Sequence, residues 1–273
     1  ARVGRVRRHV ILHHRRALET LQPLGIVEVD LARVDGHRAG RGHGHHQKVR
    51  TAGVHSKFGV PRFELAELAQ AAAEAGATVV LLGKKVPKLN QVYDAIRRIG
   101  PEPALYPLDM RGADPADYEV MADKIAAELG GLNGILHCAA DFSGLRPLET
   151  TDPEEFVTQI HVNLTAPWLL TQACLPILRL AEDAAVVFVS ENLSRVNKAY
   201  WGAYGVAKAG LDGLLSILHD ETEHTAVRVS GLQPGPMRTS IRARAYVDEA
   251  ATHCPEPSIY APACVYLLSA AGA

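Results

Sequence analysis

A tyrosine and a lysine four residues apart, Tyr204 and Lys208, have the types and the spacing that proton transfer requires. On a helix, residues i and i+4 lie on one face about a turn apart, so the phenol and the ammonium would project together. A cation held near a phenol favours the phenolate and lowers the phenol pKa from about 10 toward neutrality. A tyrosine tuned in this way can act as a general acid or base at physiological pH. The alternative is a solvated surface pair, so the interpretation depends on the rest of the chain.

The elements that would position this pair follow an alternating pattern from residue 63 onward. Apolar runs of strand length alternate with segments of helical length. The predicted helices span 63–75, about 86–99, 114–129, 151–178 and the segment around Tyr204, and the predicted strands are 78–82, a strand that ends at 106–109, 134–137, 185–189 and 227–232. Such alternation indicates an α/β fold, a doubly wound parallel sheet with helices on both faces.

Ligands of parallel α/β sheets bind beyond the carboxyl ends of the strands. Short segments that follow the predicted strands would meet at that edge, namely Gly83-Lys84, Asp109, Cys138-Ala139-Ala140, Ser190-Glu191 and Pro234-Gly235. The helix that carries Tyr204 and Lys208 begins one loop after the fourth of these segments. The sequence therefore predicts a site at this edge of the sheet, with the tyrosine–lysine pair beside it.

The composition excludes several classes of protein. The chain has 273 residues, 47% of them apolar, which is enough to bury the core of one large α/β domain. Its net charge of −1 offers no field for nucleic acid or a membrane surface, and no apolar run approaches the ~18 residues of a membrane span. The 4 cysteines are scattered without a C-x-x-C motif, and the arginine-rich start lacks the apolar core of a signal peptide. We therefore expect a cytoplasmic protein with neither a nucleic-acid nor a membrane partner.

Residues 1–62 differ in composition from the domain that we predict at 63–273. They hold most of the 13 histidines and a basic run, Arg2–Arg16, that contains no acid. Their periodicity is weak, apart from a short β-like run at 26–31. Since a charge-rich, weakly periodic segment gains little from burial, we expect it to be irregular and partly disordered.

Three sharper interpretations of this segment are open. The run His43–His46 could hold a transition metal, but it lacks a second ordered cluster, and we predict no metal site. The basic run Arg2–Arg16 could contact phosphates. The spacing G-x-x-x-G-x-G over Gly36–Gly42 could form a phosphate-binding turn after a strand.

Three further motifs occur in a fixed order around the tyrosine–lysine pair. Leu136–Ala140 is similar to a strand-end N-N-A-G, Val162-Asn163-Leu164 to a helix asparagine motif, and Gln233–Thr239 to P-G-x-x-x-T. With Tyr204-x-x-x-Lys208 they make residues 63–273 resemble the short-chain dehydrogenase/reductase family, above all a bacterial branch of uncharacterised oxidoreductases. The resemblance implies a Rossmann-like fold and hydride transfer between a nicotinamide cofactor and a small carbonyl or alcohol substrate.

The resemblance also implies roles for individual residues. Tyr204 would be the catalytic acid and base, and Lys208 would lower its pKa and bond the nicotinamide ribose. Asn163 would hold a water that links Lys208 to solvent, or would be a helix-interior asparagine bonded to backbone. Asp109 would lie beside the adenine ring, and Thr239 would meet the carboxamide.

The cofactor that the resemblance implies is NADP in preference to NAD. Lys84 and Lys85 follow a strand at whose end an acid would bond the 2′-hydroxyl of NAD, whereas a base suits a 2′-phosphate. The alternative is a pair of solvated lysines. The implied cofactor-binding residues are Gly59, Lys84, Asp109, Cys138, Ala139, Ala140, Tyr204, Lys208, Pro234, Gly235 and Thr239.

The sequence departs from the family pattern at the catalytic serine. That serine usually lies thirteen residues before the tyrosine, and the position is Glu191 here. A serine donates a hydrogen bond as negative charge develops on the substrate, which an ionised glutamate would oppose and a protonated one could replace. Ser190 or Asn192 could instead rotate into this role. The candidate catalytic residues are Tyr204, Lys208, Asn163, Ser190 and Glu191.

A second departure concerns the glycine-rich turn and the first strand. Counting back from Gly76, the motif T-G-x-x-x-G-x-G falls at 58–65, where Gly59 alone of its glycines is present. A buried first strand is hard to place, since Val54–Lys57 is a poor candidate. Our hypothesis is that residues 1–62 are not the native N-terminus of the family, for example through a shifted reading frame.

A third departure is the end of the sequence at Ser269–Ala273, before a final strand, which predicts a shortened C-terminal edge of the sheet. A family interface built from the long helices around Asn163 and Tyr204 is retained, so we expect a homodimer.

The leading function is an NADP-dependent oxidoreductase acting on a carbonyl or alcohol. The alternative is a degenerate relative with impaired cofactor binding that acts as a binding or scaffold protein. The resemblance places the substrate loop at 238–257, where Arg242, Arg244 and Tyr246 could meet an anionic substrate or form a solvated mobile lid.

Overall fold

The computed structural model describes residues 25–28, for which we consider the backbone alone, together with residues 66–250 and 253–272. The described strands are β1 (Gly25–Glu28), β2 (Val79–Gly83), β3 (Ala104–Pro107), β4 (Gly134–His137), β5 (Ala184–Val189) and β6 (Val227–Leu232). They form one parallel sheet in the order β3-β2-β1-β4-β5-β6. Because the order reverses between β1 and β4, the sheet is doubly wound, which confirms the predicted α/β fold class.

Helices connect the strands within the described ranges. They are α1 (Ala66–Glu74), α2 (Val86–Ile96), α3 (Pro115–Leu129), α4 (Pro153–Ile160), α5 (Ala166–Leu178), α6 (Leu193–Val196), α7 (Gly202–Thr222), α8 (Ser240–Ala245) and α9 (Ala261–Leu268). A wider π-helical turn, His161–Thr165, joins α4 to α5. The predicted helix and strand bounds agree with these ranges within one helical turn. None of the described helices is both long enough and apolar enough to cross a membrane.

The two faces of the sheet bury separate hydrophobic cores. Successive side chains of a strand point to opposite faces, and all of β2 is buried, so this strand supplies both cores. Val79 and Leu81 pack in the core that α1, α2 and α9 cover. Val80 and Leu82 pack in the core that α3, α5 and α7 cover. A strand buried on both faces explains the near-continuous apolar run in its sequence.

Start and stop signals in the sequence account for the helix ends that frame the sheet. Asp114 caps α3 by accepting a hydrogen bond from the backbone N of Asp117, whose side chain accepts from the backbone N of Asp114 in return. The same helix ends at Gly130, which adopts a φ of 79° that side chains other than glycine rarely allow. Asp152 caps α4 in the same manner, accepting from two backbone N–H groups.

The first strand lies where the sequence had offered little support for one. It overlaps the β-like run at 26–31, and Ile26 aligns with Val80 on one side and with Ile135 on the other. The residues around this run do not indicate its place in the sheet, so its pairing with two neighbours that are distant in sequence decides that place. The sequence analysis found no good candidate for the central strand, and β1 fills that place. Residues 29–65, including Val54–Lys57 and Gly59, lie outside the described residues.

Candidate active site

A pocket opens at the carboxyl ends of β4, β5 and β6, with an empty volume of about 860 Å³ including its open mouth. Each strand contributes the segment that directly follows it, so the lining includes Cys138, Ala140, Ser190, Glu191, Pro234 and Gly235. Tyr204 and Lys208 of α7 and Thr239 before α8 also line it. The structure therefore brings most of the predicted site residues together at the edge that the sequence indicated.

Helix α7 presents the tyrosine–lysine pair to this pocket. Tyr204 and Lys208 are almost wholly buried, with exposed fractions of 2% and 4%. Nζ of Lys208 lies 5.6 Å from the centroid of the Tyr204 ring and donates a hydrogen bond to the carbonyl oxygen of Val189 at 3.1 Å. Because this bond fastens the lysine to the end of β5, the pair has a fixed position relative to the sheet.

Aromatic side chains enclose the ring of Tyr204. Phe142 meets it edge-on at 5.2 Å between centroids, and Trp201 lies 5.8 Å away. Trp201 in turn stacks on Phe142 at 5.3 Å and meets Tyr246 edge-on at 6.4 Å. Aromatic pairs of this kind contribute about 0.5–1.5 kcal/mol each beyond the area they bury. They hold the phenol in one orientation and exclude water from its ring.

The pKa of Tyr204 is raised well above its usual value of about 10, so the predicted lowering is wrong for this structure. Burial is the largest cause, because the phenolate loses its hydration. The negative charge of Glu191 and the hydrogen bond that Tyr204 donates to it raise the pKa further. The sequence argument considered the neighbouring cation alone, whereas tertiary packing adds burial and a nearby acid.

Glu191 occupies the position of the expected serine and contacts the tyrosine directly. The hydroxyl of Tyr204 donates a hydrogen bond to Oε1 of Glu191 at 3.2 Å. Oγ of Ser190 is buried and has no hydrogen-bond partner among the described residues. Asn192 does not rotate into the role, because its side chain caps α6 and accepts hydrogen bonds from N and Oγ of Ser194 at 3.0 and 2.7 Å. Of the three candidates to replace the serine, Glu191 is the one that bonds Tyr204.

Asn163 lies in the π turn between α4 and α5 and is 1% exposed. Its Oδ1 accepts from the backbone N of Asp141 at 2.9 Å, and its Nδ2 donates to the carbonyl oxygens of Asp141 and Gln159 at 2.7 and 2.8 Å. These are the bonds of an asparagine that braces backbone, here between the long helix and the segment after β4. Its role toward a water stays a prediction. π turns are frequent at functional sites, where they re-aim backbone groups.

A second, smaller pocket lies at the carboxyl ends of β2 and β3 and includes Lys84 and Asp109. Nζ of Lys84 is 3.8 Å from Oδ1 of Asp109, which also accepts from the backbone N of Arg111 at 3.1 Å. Since β1 separates β2 from β4 in the sheet, the two pockets flank the carboxyl end of β1. Ligands of doubly wound sheets bind at this point, where the strand order reverses.

The segment after β6 forms one wall of the main pocket. Thr239 caps α8 by accepting from the backbone N of Arg242 at 3.2 Å. Arg242 donates two hydrogen bonds to Glu249, which hold the pKa of that carboxyl below its usual range, and it lies 4.5 Å over the ring of Tyr246. Arg244 donates to the carbonyl oxygen of Phe142. Arg242 and Arg244 therefore both have protein partners, and their role toward an anionic substrate or in a mobile lid stays a prediction.

Several predicted residues lie away from the main pocket. Ala139 is buried in the hydrophobic core, although its neighbours in sequence, Cys138 and Ala140, line the main pocket. Gly59 and the runs Arg2–Arg16, Gly36–Gly42 and His43–His46 lie outside the described residues. Within the described part of the chain, no group of three or more His, Cys, Asp or Glu side chains could hold a metal ion.

Sequence reasoning missed several residues that the structure places at the site, among them Asp141, Phe142 and Arg195. Asp141 holds Asn163 and accepts from Nη2 of Arg111 at 2.9 and 3.0 Å. Phe142 packs on the ring of Tyr204, and Arg195 lines the main pocket. The first two directly follow the segment after β4 that the sequence had singled out, so extending that segment would have found them. Arg195 lies on a four-residue helix that carries no sequence signal of its own.

Comparisons with known proteins agree with this geometry. A family model described as short chain dehydrogenase matches residues 66–250. The uncharacterized oxidoreductase YciK of Escherichia coli (strain K12) is 32% identical over 203 residues, which cover 74% of this chain and 80% of that protein. The chain spans 50–61% of the length of several other curated relatives that it matches.

Solved structures are similar over a comparable length. A short chain dehydrogenase from Pseudomonas syringae is 34% identical with a TM-score of 0.75, and the match covers 90% of each chain. A short chain dehydrogenase from Shigella flexneri 2a, complexed with NADP, is 31% identical with a TM-score of 0.72, and the match covers 76% of this chain and 86% of that one. None of these similarities supports the alternative of a degenerate binding or scaffold protein.

Proposed function

Because this chain belongs to the short-chain dehydrogenase family, we propose that it is an NADP-dependent oxidoreductase that interconverts a small carbonyl compound and the matching alcohol. The observation that carries the proposal is the buried pair Tyr204 and Lys208, fixed in the wall of a pocket at the carboxyl ends of the strands. A buried, oriented phenol at such a site can give a proton to a carbonyl oxygen.

NADP fits the residues of the two pockets that flank β1. Lys84 places a partly exposed cation at the end of β2, where it would meet a 2′-phosphate, and Asp109 beside it would face the adenine ring. In the main pocket, the ammonium of Lys208 would bond the nicotinamide ribose. Gly235 lies against Tyr260, where a Cβ would come within 2.6 Å of the tyrosine hydroxyl. The NADP bound to the similar Shigella protein supports the same choice.

The remaining predicted contacts surround the nicotinamide end of the cofactor. Cys138 and Ala140 after β4, and Pro234 and Gly235 after β6, line the pocket that would receive the ring. Thr239, the cap of α8, would meet the carboxamide. We assign these contacts, and the backbone brace made by Asn163, to positioning rather than to proton transfer.

The chemistry divides between cofactor and protein. When bound, the nicotinamide ring supplies or accepts the hydride. The phenol of Tyr204 donates its proton to the substrate oxygen in reduction and takes one in oxidation. Phe142 and Trp201 hold the phenol and keep water away from its ring. The ammonium of Lys208 lies close enough to the phenol to offset negative charge that develops on the reacting oxygens.

A cofactor titration followed by a carbonyl screen tests this function. NADPH should bind saturably, and more tightly than NADH, when intrinsic fluorescence of the purified protein is followed. A Tyr204→Phe protein should bind NADPH as the wild type does but lose roughly 10²–10⁴-fold in kcat with any carbonyl that the wild type reduces. A folded wild-type protein that binds neither nucleotide would contradict the proposal.

We also propose that the protein forms a homodimer through the outer faces of α4, α5 and α7. Four large apolar side chains are exposed there, Val157, Trp168, Val206 and Ile217. A second copy of the same helices would cover them, because an apolar patch on one subunit matches the same patch on its partner. Light scattering should show a dimer for the wild type and a monomer for Ile217→Glu. The control Val120→Glu, at an exposed site on α3, should remain dimeric; a monomeric wild type would refute the proposal.

A cytoplasmic location is the third part of the proposal. All 4 cysteines are buried and free, as is usual in a reducing compartment. Fractionation of cells that express the untagged protein should recover it with cytoplasmic markers. Recovery with periplasmic or membrane markers would contradict this assignment.

A further inference from the structure

The hydroxyl of Tyr204 has one hydrogen-bond partner within the described part of the chain, and that partner is a carboxylate. Oη of Tyr204 donates to Oε1 of Glu191 at 3.2 Å. Tyr204 is 2% exposed, whereas Glu191 is half-buried and lines the open pocket. Glu191 therefore connects the buried phenol with the side of the pocket that solvent reaches.

A phenol that keeps its proton at neutral pH can donate it to a carbonyl oxygen, but it cannot by itself take a proton from an alcohol. Burial and Glu191 both raise the pKa of Tyr204, which favours the protonated phenol over the phenolate. To accept a proton, the phenol must pass its own to a second group in the same step. Glu191 is the group within hydrogen-bond distance, and the hydroxyl of Ser190 makes no bond to the phenol.

The other charged groups of the pocket leave this pair intact. Lys208, on the same helix as Tyr204, bonds the carbonyl oxygen of Val189. Arg242 lines the pocket from α8 and is held by Glu249, and Arg195 lines it from α6. These three cations line the same pocket as Glu191, so the carboxylate shares the pocket with groups of opposite charge.

We propose that Glu191 is the proton acceptor of Tyr204 and carries protons between the buried phenol and solvent. The inference rests on the proposed oxidoreductase function and replaces the expected serine by a group of different chemistry. A serine at this position would donate a hydrogen bond to the substrate, whereas Glu191 exchanges a proton with the tyrosine.

The proton transfers balance in both directions. In alcohol oxidation, the substrate O–H bond breaks and its proton goes to Oη of Tyr204. The phenolic O–H bond breaks in the same step, and that proton goes to Oε1 of Glu191, which releases it to solvent. The electron pair of the broken C–H bond leaves with the hydride, so the substrate becomes a neutral carbonyl compound. In reduction, a protonated Glu191 returns the proton to Tyr204 as the phenol protonates the substrate oxygen.

The first test follows the ionisation of Tyr204 without any cofactor. The chain has 8 tyrosines, so the tyrosinate absorbance of the protein minus that of its Tyr204→Phe counterpart isolates the residue. Glu191→Gln removes the negative charge and keeps the shape of the side chain. The titration midpoint of Tyr204 should move to lower pH, because a phenolate no longer faces a carboxylate. The control Glu221→Gln removes the same charge at an exposed site near the end of α7 and should leave the midpoint unchanged. An unchanged midpoint in Glu191→Gln would overturn the proposal.

The second test separates proton transfer from packing. Glu191→Ala should lower kcat for alcohol oxidation by roughly 10²-fold while the KM for NADP changes little. Glu191→Asp should recover much of the loss, and added formate should raise kcat of Glu191→Ala by entering the space that the side chain leaves. A wild-type kcat in Glu191→Ala, or a lost kcat that formate does not raise, would contradict the proposal. The two proposals can fail separately. An absent oxidoreductase function would show as a lack of NADPH binding in the cofactor titration, whereas the tyrosinate titration tests the Tyr204–Glu191 pair without any cofactor.

Discussion

Gly205 of α7 lies directly against the carbonyl oxygen of Val196 at the end of α6. A Cβ at Gly205 would lie 2.3 Å from that oxygen, a distance that real side chains do not reach. The two helices can therefore approach this closely because the residue next to Tyr204 has no side chain. The contact sets the position of α6, whose preceding residues are Glu191 and the cap Asn192.

Gly205→Ala should destabilise the protein by about 1–3 kcal/mol, because the added methyl group pushes α6 away from α7. Urea denaturation of both proteins measures the difference. The matched control is Gly213→Ala on the same helix, where a Cβ would meet nothing within 4 Å. Alanine should stabilise α7 there by about 0.5–1 kcal/mol, since glycine is a poor helix former. Equal effects of the two substitutions would show that the contact between α6 and α7 is loose.

Asn163→Ala should lower the free energy of unfolding by about 3 kcal/mol. It removes three hydrogen bonds to backbone groups of Asp141 and Gln159, and each such bond contributes about 1 kcal/mol. Chemical denaturation with an unchanged m value is the measurement. Gln172→Ala, at an exposed site on α5, should change stability by less than about 0.5 kcal/mol. If Asn163→Ala leaves the free energy of unfolding unchanged, the hydrogen bonds between the π turn and the segment after β4 do not stabilise the protein.

Lys84→Ala should weaken NADPH binding about 10-fold and leave NADH binding nearly unchanged. The lost interaction is a charged hydrogen bond to the 2′-phosphate, worth about 1.5 kcal/mol, and NADH lacks that phosphate. Fluorescence titration with both nucleotides gives the ratio of the two Kd values. Lys124→Ala, on the exposed face of α3, loses the same charge and should leave the ratio as it is. If Lys84→Ala leaves the ratio of the two Kd values unchanged, Lys84 does not contact the 2′-phosphate.

Stability should fall as the pH rises from about 9 to 12. Burial raises the pKa of the thiols of Cys174 and Cys264 to about 12 each. An unfolded chain loses these protons near pH 8.5–9 and the folded chain does not, so the unfolded state is favoured progressively in that window. Below it, both states keep the protons and the effect is absent.

Urea denaturation at several pH values measures this slope. Each thiol contributes up to about 1.4 kcal/mol per pH unit, so Cys174→Ala should have a shallower slope than the wild type. Val186→Ala, which also removes buried volume but no titratable group, should lower stability equally at every pH. A Cys174→Ala slope identical to that of the wild type would contradict the assigned pKa.

The sequence alone determined the architecture of the described domain, because its signals are local. The apolar run 79–82 requires burial on both faces, and the caps Asp114 and Asp152 begin their helices whatever the neighbours do. The spacing of Tyr204 and Lys208 placed both on one helical face. Their place at the carboxyl edge followed from strand alternation alone.

The tertiary structure decided two properties that local sequence signals do not determine: the place of the first strand and the pKa of Tyr204. The run at 26–31 is β-like in sequence, but no local signal indicates where such a strand lies. Its pairing with β2 and β4, which are distant in sequence, places Gly25–Glu28 at the centre of the sheet. The pKa of Tyr204 is raised rather than lowered because burial and Glu191 outweigh the cation one turn away. A pKa depends on solvent exposure and on every charge nearby, and both are properties of the packed molecule.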